Sequence, residues 1–148
     1  MTEADIQVFI DGVKRYFENS VSLAAQVSTP YLVNSTEAPA EDFTGIIGVS
    51  GGRKGCVYFT APRAMLQHLL LGLGEPIVNS ELMRDLVGEV ANTISGNARA
   101  VYGSDFMISV PVVVQGRPEN LQLPKQLKAF VIPFQWQSYS ATLVVCLE

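Results

Sequence analysis

Between residues 80 and 102 apolar side chains recur three and four positions apart with no proline to interrupt them, and no other feature limits the fold as strongly. At about 100° per residue, Met83, Leu86, Val87, Val90, Ile94, Ala98 and Val101 gather on one side of a helix, with Ser80 placed to cap its start. A helix of this length with one apolar side needs a surface to lie on, and the following residues read as strands. These cover 107–115, 127–136 and 139–147. The last alternates cleanly, placing Tyr139, Ala141, Leu143, Val145 and Leu147 on one face.

The first half of the chain repeats these themes. Ile6, Phe9, Ile10, Val13 and Phe17 form the stripe of an amphipathic helix over residues 3–19. A looser stretch with Pro30, Pro39 and a polar cluster at 34–37 ends at Asp42. Residues 43–50 and 56–60 then read as two strands joined through Gly51-Gly52-Arg53-Lys54-Gly55, a hairpin. Pro62 suits the first turn of a short helix carrying Met65, Leu66, Leu69 and Leu70, closed by Gly72, Gly74 and Pro76. The order predicts an α+β fold, a mostly antiparallel sheet with helices packed on it in layers, in one domain over residues 1–148.

Composition removes several function classes. A chain of 148 residues with 48% apolar and 16% charged side chains can bury a real core. Its net charge is -4 and its basic residues are scattered, so the basic footprint of a nucleic-acid binder is missing. No apolar run is long enough to span a bilayer, and the acidic Met1-Thr2-Glu3-Ala4-Asp5 lacks the order of a secretion signal. Cys56 and Cys146 sit in strand-like runs and are expected as two buried thiols in a reducing cytoplasm.

The face of the long helix opposite its core side carries Glu81, Asp85, Gly88, Glu89, Asn92, Gly96 and Arg99. A solvated face is ordinarily filled by good helix formers, whereas each glycine here costs roughly 1 kcal/mol relative to alanine. Gly88 adjoins Glu89, and Gly96 lies one turn beyond Asn92, so the pattern predicts a low surface from which one carboxylate and one amide project together. The bland alternatives are a solvated face and glycines that admit a neighbouring helix.

Asp85, Glu89 and Asn92, in Asp85-Leu-Val-Gly-Glu-Val-Ala-Asn92, resemble the signature of the CheC/CheX/FliY phosphatases, in which an Asp or Ser precedes the Glu by four and an Asn follows it by three. Pro111 is similar to the signature's downstream proline, at a slightly short spacing read as a shorter helix-to-strand turn. The hairpin at 46–59 resembles the CheX branch in particular, and a single ExxN motif likewise favours CheX over CheC.

The resemblance implies a cytoplasmic enzyme that removes phosphate from the aspartyl-phosphate of a CheY-like receiver domain. In that picture Asn92 orients the attacking water and Glu89 pairs with the receiver's lysine. Gly88 and Gly96 permit close contact with the partner, and Asp85 and Pro111 support the motif. No cofactor belongs to the chain, because Mg²⁺ is supplied by the receiver. It also implies a homodimer joined along the strand at 107–115.

Other readings are weaker. Gly48 to Gly55 with Lys54 lacks the spacing of a phosphate-binding loop and joins strands rather than opening a helix. Asp85 and Glu89 lack the further ligands of a metal site. The rival from another class is a non-catalytic receiver-docking or flagellar-switch-type module.

Overall fold

A computed structural model describes residues 1–34, 37–116 and 128–148. Among these residues three helices, α1 (Glu3–Val21), α2 (Arg63–Gly72) and α3 (Ser80–Tyr102), accompany eight strands. These are β1 (Gln26–Val27), β2 (Tyr31–Asn34), β3 (Phe43–Gly51), β4 (Gly55–Ala61), β5 (Phe106–Ile108), β6 (Val112–Gln115), β7 (Lys128–Trp136) and β8 (Tyr139–Leu147). Every pairing among the described strands is antiparallel, with β3–β4 and β7–β8 joined as hairpins and the other pairs brought together from distant parts of the chain. The order is β1-β7-β8-β4-β3-β5, with β2 also on β7 and β6 also on β3. Each edge of the sheet is thus built from two short strands on one long one, which blunts both edges against runaway pairing.

The period-two pattern sorts the sheet into two faces. Val57, Phe59, Leu143, Val145 and Leu147 pack with Phe9, Val13 and Phe17 of α1 and Val87, Val90 and Ile94 of α3 in the main core. Cys56, Tyr58, Ala129, Val131, Val144 and Cys146 form a smaller cluster on the other face. There the Tyr58 hydroxyl donates to the Pro39 carbonyl at 2.6 Å, tying down the segment that precedes β3. Cys56 and Cys146 are free, buried and directly opposite one another across β4 and β8. Burial, then the neighbouring Cys146, pushes the Cys56 thiol up to about 12, so it stays protonated and unreactive. Among the described residues no helix is long and apolar enough to cross a membrane.

Several sequence expectations are corrected. α3 is capped by Asn79, whose side chain accepts the Leu82 N–H at 2.9 Å, while Ser80 instead accepts from Arg63 Nη1 at 3.0 Å. Pro62 is the cap of α2 rather than its first residue. Val101 is 65% exposed. At the last turn Tyr102 takes the inward position, stacking on Phe106 at 5.1 Å. β1 and β2 lie within the stretch expected to be loose, because β7 offers an edge with which even short segments can pair. Part of the predicted polar cluster at 34–37, and Leu127 at the start of a predicted strand, lie outside the described residues.

One carboxylate joins three ends of the molecule. Asp5 closes a capping box with Thr2, and its Oδ1 accepts from Tyr102 Oη at 2.7 Å and Arg53 Nη2 at 3.0 Å. The Arg53 guanidinium lies over the Tyr102 ring, 4.5 Å from its centroid. The start of α1, the β3–β4 turn and the end of α3 are therefore held together. Burial alone raises the Asp5 pKa, but the hydrogen bonds from Thr2 and Tyr102 and the Arg53 charge outweigh it, lowering the value from 3.8 to about 2.

A depressed carboxylate stabilises the fold fully above its unfolded pKa and stops doing so as pH falls through its folded one. At neutral pH Asp5→Asn is expected to lose about 1 kcal/mol, after allowance for solvent screening at this rim. Chemical denaturation from pH 7 to 2 checks this. The gap between variant and wild type should narrow between pH 4 and 2. A gap constant over that range would exclude the ionised carboxylate as its source.

Candidate functional site

α3 crosses β3 and β4, with Val87, Val90 and Ile94 buried beneath it. The turn of a helix that buries 87, 90 and 94 must turn 85, 89 and 92 outward, and all three side chains are exposed. Asp85, Glu89 and Asn92 open on a groove of about 620 Å³, whose opposite wall runs from Ile108 to Val113 on the edge strand.

That wall is shaped by an irregularity in the ladder. Val49 faces Ile108 and Ile46 faces Val112, so the two β3 residues between them oppose three, Ser109, Val110 and Pro111. One extra residue makes a β-bulge, a feature that bends an edge strand and re-aims its side chains. Pro111 cannot donate to a ladder, so the bulge is where it can sit. Ser109 holds the bulge to β3. Its N–H donates to the Gly48 carbonyl at 2.9 Å, its Oγ accepts the Gly48 N–H at 2.8 Å, and its hydroxyl donates to the Val110 carbonyl at 2.9 Å. The strand expected over 107–115 is therefore broken into β5 and β6.

Gly88 has a different role from the one its exposure on the helical wheel implied. It is buried. A Cβ there would stand 3.1 Å from Val113 Cγ2 and 3.3 Å from Pro111 Cβ and Cγ. The glycine admits the chain's own edge strand. Packing of Pro111 against Gly88 closes the floor of the groove and brings Pro111 beside Glu89 and Asn92. Gly96 is open, with nothing within 4 Å of its Cβ position, and belongs to a separate depression with Arg99, Ala100, Gly103 and Ser104. The structure thus unites Asp85, Gly88, Glu89, Asn92 and Pro111, and leaves Gly96 on the same helix but outside the groove.

Tyr16, from α1, is a neighbour that sequence reading did not single out. It is buried, and burial pushes its phenol up to about 12, with the Glu89 carboxylate adding to the shift and Ser20 opposing it. Its hydroxyl therefore stays neutral behind Glu89. Ser109 and Val110 were also missed as site residues; a serine two positions before a strand proline is the only local hint of them. His68 lies elsewhere, edge-on to Trp136 and Tyr139 with ring centroids 5.1 and 5.7 Å away. Among the described residues no three His, Cys, Asp or Glu side chains are grouped so as to hold a metal ion. The groove presents two carboxylates, Asp85 and Glu89, one amide and a largely apolar wall, which suits positioning and recognition rather than covalent chemistry on this chain.

Solved structures with the same fold are known. A CheC-like superfamily protein from Shewanella sp. PV-4 is 24% identical, with 100% of this chain and 99% of that one covered at a TM-score of 0.85. The chemotaxis protein CheX from Vibrio vulnificus is 25% identical over 98% of this chain and 99% of its own, with a TM-score of 0.83. CheX from Borrelia burgdorferi, solved in a complex with CheY, BeF₃ and Mg²⁺, is 16% identical over 97% of both chains, with a TM-score of 0.81. No curated protein sequence matches significantly. The family model described as chemotaxis phosphatase CheX matches residues 43–135, which contain β3, β4, α3 and the whole groove. With well over half of its residues inside that match, the chain belongs to the CheX chemotaxis phosphatase family.

Proposed function

We propose that this chain hydrolyses the aspartyl-phosphate of a CheY-like receiver domain, acting in the cytoplasm as one domain over residues 1–148. The observation that carries the proposal is the joint exposure of Glu89 and Asn92 on neighbouring turns of α3, at the mouth of one groove. In the reaction, water oxygen bonds to phosphorus as the bond from phosphorus to the aspartyl oxygen breaks, releasing phosphate and restoring the carboxylate. Such a transfer asks a protein chiefly for alignment and charge stabilisation. The Asn92 amide has both a carbonyl acceptor and N–H donors, enough to hold a water in line without acting as a base. Glu89 pairs with the receiver's lysine and fixes the register of the two proteins, with Asp85 one turn before it at the rim. The Mg²⁺ at the phosphorylation site belongs to the receiver. A homodimer along the β5–β6 edge fits the exposed Met107 and Val112 on it.

The test is the rate of phosphate loss from a panel of phosphorylated receivers, with and without this protein. Faster loss supports the phosphatase; binding with unchanged decay across the panel would leave a docking module. Glu89→Gln is expected to weaken receiver binding about tenfold, corresponding to loss of a charge-assisted contact. Titration of the variant with phosphorylated receiver measures this, and unaltered affinity would remove the ion pair from the mechanism.

A further inference from the structure

The apex of the bulge is an unusual place for an exposed apolar side chain. Val110 is 81% exposed, yet the backbone that carries it is fixed at both ends. On one side, the Ser109 hydroxyl takes the Gly48 N–H that a strand carbonyl would take in an unbroken ladder, at 2.8 Å, and donates at 2.9 Å to the carbonyl of Val110 itself. On the other, Pro111 is seated against Gly88. A single exposed valine is ordinary, but one held this firmly in the wall of the groove facing Glu89 and Asn92 is placed to meet whatever enters.

We propose that Ser109 is a positioning residue whose hydroxyl clasps the bulge to β3, so that Val110 and Pro111 form the apolar wall against which the receiver domain docks. The inference rests on the phosphatase reading above and adds a second contact surface to it. α3 supplies the polar groups aimed at the phosphorylation site. The bulge supplies the apolar surface that sets how far the receiver can approach. Without the hydroxyl, the Gly48 N–H and the Val110 carbonyl both lose their partner, and the bulge is held to Gly48 through the Ser109 N–H alone, so the peptide bearing Val110 is held less firmly. Docking should then suffer while the chemistry at Asn92, on the other wall, does not.

Steady-state dephosphorylation of a phosphorylated CheY-like receiver, with receiver concentration varied, separates these effects. Ser109→Ala is expected to raise KM about tenfold with kcat within about twofold of wild type. Ser109→Thr, which keeps the hydroxyl, should restore KM. Val110→Asp, a surface change that leaves the clasp and core untouched, should raise KM similarly with an unchanged melting temperature. Amide exchange at Gly48 should quicken in Ser109→Ala and return to its wild-type rate in Ser109→Thr. Wild-type KM in either Ser109→Ala or Val110→Asp, beside an active wild-type enzyme, would overturn the clasp alone. A wild-type protein inactive on every receiver would overturn the phosphatase reading and the clasp with it.

Discussion

Asn92→Ala is expected to slow receiver dephosphorylation by at least about 100-fold, the usual cost of removing one positioned polar group from a transition state. The fold should be indifferent to the change. Asn92 is exposed, and alanine is a better helix former than asparagine. Binding should also survive, because in the proposed mechanism the amide acts on water while Glu89 and the bulge hold the partner. Three measurements on one variant therefore separate the readings: kcat falls, receiver affinity stays within about twofold, and thermal stability is equal or slightly higher. If kcat were unchanged, Asn92 would not align the nucleophile, and the water would have to be held by another group in the groove.

The largest expected effect on stability comes from a residue beneath the site. A Cβ on Gly45 would lie 2.4 Å from the Val87 carbonyl oxygen, 2.7 Å from its carbon and 3.0 Å from Gly88 Cα. These are backbone atoms of α3 and cannot rotate away, so Gly45→Ala must push the helix off β3. Overpacking of this kind costs about 3 kcal/mol. The urea midpoint should fall with the slope unchanged, as expected when stability changes but the surface exposed on unfolding does not. Because Glu89 lies two residues beyond Val87, the folded fraction of this variant should also bind the receiver more weakly. Stability within about 0.5 kcal/mol of wild type, the range of an ordinary surface change, would show that α3 does not sit this close to the sheet.

Much of this molecule was legible in the sequence wherever a property depends on neighbours along the chain. The span of α3 and the outward direction of Asp85, Glu89 and Asn92 follow from a 3.6-residue period, and the face of β8 bearing Leu143 and Val145 follows from a period of two. The hairpin from Phe43 to Ala61 announces itself through its glycines. Errors arose where a distant segment decides the outcome. The wheel placed Gly88 with the polar residues and could not show that Pro111 and Val113, more than twenty residues on, cover it. Val101 fell with the core residues because a wheel cannot tell that Tyr102 wins the inward place by stacking on Phe106.

The sequence by itself determined the fold class and the pair of polar groups that α3 presents, because helical and strand periodicities are local and strong. Only the tertiary structure decided that this pair faces a second wall. The wall exists because the pairing of β3 with β5 and with β6 differs by one residue, and that offset, closed by Ser109 on Gly48 and by Pro111 on Gly88, is a relation between segments far apart in the chain.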